Sequence, residues 1–255
     1  MAHKVKKELQ NSLDLTDEEL ENYIPQLLQG LWELGSMPDY ITELINRNIT
    51  TAFSHVTDFG CGKGSVLIRL AGKFDFNGLG IDIIPEFIGS AKKYAEQYGV
   101  ADKLQFKTED LVQTIRTIKN QDIVIYGYDS EILGDLKSTL NQLTSCIKDD
   151  AYVILEFMFS NSSVEATNIL TEQEMINTIN KSDCRLIDRV NWDMRKLKEV
   201  NHRNNSLIEQ NVKTLISRHP DKTVLFENYF QNQLDECDEI ESYFTCTTLL
   251  LSKKN

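Results

Sequence analysis

The sequence contains no apolar run approaching the ~18–20 residues that a membrane-spanning helix needs. Its start, Met1-Ala2-His3-Lys4-Val5-Lys6-Lys7-Glu8, lacks the apolar segment of a secretory signal. The five cysteines (61, 146, 184, 237 and 246) are odd in number, scattered and without C-x-x-C spacing. They define neither a disulfide framework nor a zinc site. The four histidines are equally dispersed, so no metal is expected. Basic residues are outnumbered, 27 to 39, giving a net charge of −12 with no basic patch beyond the termini. A surface of that sign repels phosphate backbones and anionic membranes, so neither nucleic acid nor membrane is expected as a partner. There is no internal repeat and no low-complexity tract. From these absences a cytoplasmic, reduced, metal-free chain is expected.

What is present is ample for a core: 41% hydrophobic residues in a chain of 255, the size of one large α/β domain or one domain with an insertion. From Ser54 to Phe159 β-rich runs alternate with helical periodicity. Strands are expected at 54–59, 77–82, 103–108, 121–127 and 150–157, with helices near 65–73, 85–98, 110–118 and 131–146. The helix at 85–98 is the clearest. Pro85 opens it, Phe87, Ile88, Ala91, Tyr94, Ala95 and Tyr98 fall at helical spacing, and Gly99 stops it. Repeated βα units with short loops make a parallel, doubly wound sheet, and ligands of such sheets bind beyond the carboxyl ends of the strands. Asp82, Asp110, Tyr126 and Glu156 all fall at such ends.

Flanking this region, Thr16-Asp17-Glu18-Glu19 and Thr171-Glu172-Gln173-Glu174 read as capping boxes. The first opens a helix with Leu20, Ile24, Leu27, Leu28 and Leu31 on one face, and a second helix begins near Pro38. A sixth strand is expected at 184–190 and a final one at about 241–252. Between them lies an unusually long stretch, 192–238, which reads as two helices broken at His219-Pro220-Asp221. The expected domains are an N-terminal helical cap (1–53), a main domain (54–191 and 239–255) and a helical insertion (192–238).

The stretch Val56-Thr57-Asp58-Phe59-Gly60-Cys61-Gly62-Lys63-Gly64 organises the chain. It reads as a strand running into a glycine loop, with a helix from about Ser65 whose first N–H groups are unpaired. Eighteen residues after Gly64, Gly78-Leu79-Gly80-Ile81-Asp82 ends a second strand on an acid. A glycine turn after one strand and a carboxylate after the next is how a parallel α/β sheet holds a nucleoside. The dinucleotide fingerprint G-x-G-x-x-G is not matched, because position 65 is Ser and the third glycine comes one residue early. That favours a loop cradling a nucleoside without phosphate.

Val56 to Gly64 resembles motif I of the class I S-adenosylmethionine-dependent methyltransferases, hydrophobic-Asp-hydrophobic-Gly-x-Gly-x-Gly, without a gap. The resemblance covers about 54–159. It implies a Rossmann-like seven-stranded sheet, mostly parallel with an antiparallel last strand, plus N-terminal helices and a helical insertion before that strand. It also implies S-adenosyl-L-methionine as cofactor and an in-line methyl transfer to a small-molecule acceptor. The cofactor residues it implies are Asp58, Gly60, Cys61, Gly62, Gly64, Asp82, Ile83, Asp110, Leu111 and Tyr126. Asp82 would take the ribose hydroxyls, and Asp110 the adenine amino group with the following amide on a ring nitrogen. Glu109 is an alternative to Asp110.

Cys61 reads as a small filler and Lys63 as an exposed side chain. No catalytic residue can be named: Asp129, Glu156 and His202 are candidate bases and Tyr126 and Tyr128 candidate pocket walls, none with a motif behind it. Glu156 reads equally well as a structural strand-end acid. The loop Tyr126-Gly127-Tyr128-Asp129-Ser130 lacks the Asn/Asp-Pro-Pro-Tyr/Phe of DNA and protein-glutamine methyltransferases. A catalytically silent nucleoside-binding regulator on the same fold is the alternative function.

Overall fold

The structure is a computed structural model, which describes residues 18–161 and 169–254. The capping box at Thr16 falls outside them. In chain order the helices are α1 (Ile24–Leu27), α2 (Pro38–Asn48), α3 (Ser65–Ala71), α4 (Pro85–Gln97), α5 (Leu111–Thr114), α6 (Ser130–Leu133), α7 (Leu136–Thr144), α8 (Glu172–Asn180), α9 (Met194–Arg218) and α10 (Thr223–Tyr243). The strands are β1 (His55–Phe59), β2 (Asn77–Asp82), β3 (Leu104–Thr108), β4 (Gln121–Gly127), β5 (Ile147–Ser160), β6 (Cys184–Asn191) and β7 (Phe244–Lys253). They form one seven-stranded sheet in the order β3-β2-β1-β4-β5-β7-β6. β1 to β5 pair in parallel, while β7 lies between β5 and β6 and runs antiparallel to them. This is the doubly wound Rossmann-like fold that the resemblance implied.

Local signals explain most boundaries. Pro38 and Pro85 each sit in the first turn of a helix, where a missing N–H costs nothing. The Thr171 capping box is closed in both directions, the Glu174 amide donating to Thr171 Oγ1 and the Thr171 amide to Glu174 Oε2. The single helix expected at 131–146 is instead two. Gly134 takes a φ of 86°, and Asp135 restarts the chain as α7 by accepting the Ser138 amide at 2.7 Å. The helix expected at 110–118 closes after Thr114.

Each face of the sheet has its own core. Because strand side chains alternate, register assigns every residue to a face. Asp58 pairs with Gly80 on one side and Ile125 on the other, and Ile125 pairs with Ile154. Val56, Ile123, Ile125, Ile154, Leu104 and Phe106 share that face with α3 and α4 residues. The opposite face carries Phe59, Ile81, Val124, Tyr126, Val153 and Leu155, packed with α7 and α8 residues.

The chain divides into two compact units. Of the described residues, one unit contains those up to Leu31 together with Trp192–Thr245; the other contains those from Trp32 to Asn191 and those from Cys246 onward. These limits differ from the expected cap (1–53) and insertion (192–238). α10 meets no breaker at 238 and runs on to Tyr243, and the Asn211 side chain on α9 donates to the carbonyls of Leu27 and Gln29. Within that helical unit Tyr23, His219 and Phe226 meet edge to face, and Lys222 pairs with Glu19. Among the described residues no helix is long and apolar enough to cross a membrane.

Candidate functional site

Three carboxyl groups gather on one face at the carboxyl ends of the parallel strands. Asp58 on β1 sets the position. Asp82 lies two residues beyond its partner Gly80, and Glu156 two residues beyond Ile154, so all three project from the same side. On β4 the residue paired with Glu156 is Gly127, which puts no side chain between them.

The glycine loop is held against the end of β2. The amides of Gly60 and Cys61 both donate to the Ile81 carbonyl, at 2.8 and 2.9 Å, and Gly64 donates to Cys61 O at 2.9 Å. Gly60, Gly62 and Gly64 have φ of 72°, 51° and 77°, a left-handed run that side chains would strain. Gly64 is needed for space as well: a Cβ there would lie 2.8 Å from the Phe106 ring and 3.0 Å from Ala91. Cys61 is the small filler expected of it. Its buried sulfur occupies the room left by Gly80, where a Cβ would come within 2.8 Å, and burial pushes its thiol pKa up.

Asp82 braces this loop. One carboxylate oxygen accepts the Gly62 amide at 2.8 Å and the other the Ile84 amide at 2.9 Å, with the Ile83 amide also directed at it. Burial raises its pKa, and these amides pull it partly back. Three amides do not fill the roughly four lone-pair sites of a carboxylate, so the group retains acceptor capacity.

Asp58 is more extreme. It is 4% exposed, and its Oδ2 is buried without a hydrogen-bond partner. Its pKa is raised well above the ordinary value, first by burial and then by the nearby charges of Glu156 and Asp82. A buried orphan acceptor costs free energy on the order of 1–3 kcal/mol unless a ligand satisfies it.

Glu156, 6% exposed, is pushed up to about 7 by burial, opposed by hydrogen bonds from the Ser36 hydroxyl and the Met37 amide, the latter at 3.0 Å. Those bonds belong to a segment, Trp32–Met37, that sequence reasoning did not connect with β5. Its indole N–H donates to the Lys63 carbonyl at 3.2 Å, and Leu34 packs where a side chain at Gly62 would meet it at 3.3 Å. Trp32 also stacks with Tyr98, packs tilted against Tyr94 and lies under the Arg69 guanidinium. Lys63, expected to be exposed, is 5% exposed. Its ammonium lies 5.2 Å from the centre of the Phe87 ring, and burial lowers its pKa to about 8.

The remaining sequence candidates have partners of their own. Asp110 caps α5, accepting the Val112 amide at 2.8 Å and the Gln113 side chain at 2.9 Å. Glu109 accepts the Thr114 hydroxyl, and its amide donates to the Asp82 carbonyl at 3.0 Å, tying the ends of β2 and β3 together. Leu111 is buried in the core of the opposite face. Tyr126 lies on that face too, with its hydroxyl donating to the Asp129 carbonyl at 3.4 Å and its pKa raised by burial. Tyr128 packs on Phe157 and is pushed up to about 12, again by burial. His202 is exposed on α9, within the helical unit. Among the described residues no group of three His, Cys, Asp or Glu is placed to hold a metal ion.

Residues 52–221 match the family described as a methyltransferase domain. A ribosomal protein L11 methyltransferase of Pasteurella multocida is 36% identical over 89 residues, 34% of this chain and 29% of that protein. The chain thus matches under a third of the length of this relative. A probable cobalt-precorrin-6B C(15)-methyltransferase of Methanothermobacter thermautotrophicus is 25% identical over 135 residues, 52% of this chain and 68% of that protein. A Geobacter sulfurreducens S-adenosylmethionine-dependent methyltransferase, solved with S-adenosyl-L-homocysteine, superposes with a TM-score of 0.75 at 16% identity. The superposition covers 91% of this chain and 97% of that one, a likeness of fold. With its strand order, its glycine loop and a family match across two thirds of its length, the chain belongs to the methyltransferase-domain family, in its class I form that uses S-adenosylmethionine.

Proposed function

We propose that this chain transfers the methyl group of S-adenosylmethionine to a small-molecule acceptor, holding the cofactor on the face that carries Asp58, Asp82 and Glu156. The observation that carries the reading is the unpartnered, buried Oδ2 of Asp58 beside the left-handed glycine loop. A carboxylate in that position suits a cationic group, and the cofactor's α-ammonium is one. Gly60, Cys61, Gly62 and Gly64 give the loop its open backbone, and the remaining acceptor capacity of Asp82 suits the ribose hydroxyls. Ile83 lines the same turn, with Asp110 and the Leu111 amide on the adenine side. Tyr126, on the other face, supports β4 from behind and is not given a contact.

S-adenosylmethionine brings the chemistry with it, a methyl group on a sulfonium already activated for displacement. The protein's part is to bind, to align the acceptor and to keep water out. No base is assigned. Glu156 is engaged by Ser36 and Met37, and His202 is on an exposed helix surface.

A small acceptor is favoured over a protein by the extent of the matches, which reach 68% of the precorrin enzyme but 29% of the L11 enzyme. For residues 192–238 we propose a lid on the acceptor side, with a structural buttress as the alternative. The stretch far exceeds the ~2–6 residues of an ordinary connection in such a sheet, and it folds as α9 and most of α10. Hydrogen exchange with saturating S-adenosylhomocysteine and acceptor candidates tests the lid. Protection within 192–238 supports it, and unchanged exchange in a filled site removes it.

The experiment for the activity is methyl transfer from labelled S-adenosylmethionine to cell extract divided by size. Label entering the fraction below about 1 kDa is expected. Label confined to protein would overturn the small-molecule reading, and label in neither, with cofactor bound, would point to a silent binding protein.

A further inference from the structure

The segment Trp32–Met37 has no regular secondary structure, yet it is fixed at three points. Its first residue donates to the Lys63 carbonyl in the glycine loop, its middle packs Leu34 against Gly62, and its last two bond to Glu156. The first two anchors belong to the loop next in sequence to β1. The third reaches β5, two strands away across the sheet. Glu156 is a costly way to make that third anchor, since its carboxyl is buried, faces Asp58 and has Gly127 rather than a side chain beside it. A buried acid whose named partners are a hydroxyl and an amide of one irregular segment is there to hold that segment.

We propose that Glu156 is a positioning residue, the latch that fastens Trp32–Met37 as a strap over the methionine end of the cofactor. The proposal rests on the placement of the cofactor given above, in which the glycine loop and Asp58 meet that end. Asp58 and Glu156 share one electrostatic field, so a cation held by the first also favours the charged, better-accepting form of the second. Occupancy of the site therefore tightens the strap. The strap in turn slows escape of any ligand that fills the methionine end. A ligand lacking that end gains nothing from it.

Stopped-flow release of two ligands from the full chain tests this. S-adenosylhomocysteine has the amino-acid end, and 5′-methylthioadenosine lacks it. Glu156→Ala is expected to release S-adenosylhomocysteine about tenfold faster, with 5′-methylthioadenosine release unchanged. Glu156→Gln, whose amide oxygen still accepts the Met37 amide, is expected to recover most of the difference. Ser36→Ala lies outside the sheet and removes one of the two bonds. It is expected to speed S-adenosylhomocysteine release by roughly threefold, and it carries the test alone if Glu156→Ala does not fold. Unchanged S-adenosylhomocysteine release in the folded variants overturns the latch. So does equal acceleration of both ligands, which means a loosened sheet. A wild-type chain that binds neither ligand overturns the cofactor placement itself, a distinct result.

Discussion

The two faces of the sheet are built from the same strands and do opposite things. On the face of Phe59, Ile81, Tyr126, Val153 and Leu155 the side chains run apolar to the carboxyl ends of the strands. On the other face the apolar rows of Val56, Ile125 and Ile154 stop short, and the next positions are Asp58, Gly127 and Glu156. Beside them Gly78 and Gly80 leave room for Leu104 and Phe106, which fill what β2 gives up. One face stabilises the fold; the other gives up packing to gather buried acids. The cost shows in Asp58 and Glu156, whose pKa values are both raised by burial.

Truncation on the apolar face should have the largest effect. Phe59→Ala is expected to lower unfolding free energy by about 3–5 kcal/mol, with S-adenosylhomocysteine affinity little changed in the fraction that stays folded. Urea denaturation beside calorimetry checks both. A large affinity loss at unchanged stability would mean that the division of the faces is wrong.

Acidity should separate the faces next. Glu156 has its proton affinity raised in the folded state, from 4.5 to about 7. The folded chain therefore holds that proton more tightly than the unfolded one. The stability this contributes is complete below pH 4.5 and disappears as pH rises through 7, a span of roughly 3 kcal/mol. Asp58 and Asp82, also raised, act in the same direction. Denaturation at pH 5 and pH 8 should show the loss at the higher pH, and Glu156→Gln should flatten it. A wild-type chain equally stable at both would remove the buried-acid account.

Asp82→Ala should weaken S-adenosylhomocysteine about ten- to a hundredfold, or 1.5–3 kcal/mol. The sequence alone suggests a side chain pointing into the cleft, with folding barely changed on its loss. The bonds from Gly62 and Ile84 argue otherwise, so a stability loss of about 1 kcal/mol should accompany the affinity loss. Smallest is Gly60→Ala, where a Cβ meets nothing within 4 Å and only the φ of 72° is strained. About 1 kcal/mol is expected there, against more at Gly64, where the Phe106 ring also intrudes.

Which parts of this were legible follows from the range of each signal. The strands, the glycine loop and Asp82 are local patterns, and the sequence shows them. The division of faces needs register, which no short window contains. The Met37–Glu156 bond joins residues 119 apart, and Trp32–Met37 has no periodicity to mark it. Lys63 looks like an ordinary loop lysine until Phe87 is folded against it. Gly134 sits inside a helical pattern and breaks it only because the chain adopts a left-handed turn there.

The central claim is that the acidic face holds S-adenosylmethionine, and calorimetric titration of the purified chain tests it most directly. S-adenosylmethionine and S-adenosylhomocysteine should bind and raise the melting temperature, while NAD and ATP should not. Tight binding of NAD with none of S-adenosylhomocysteine would contradict it.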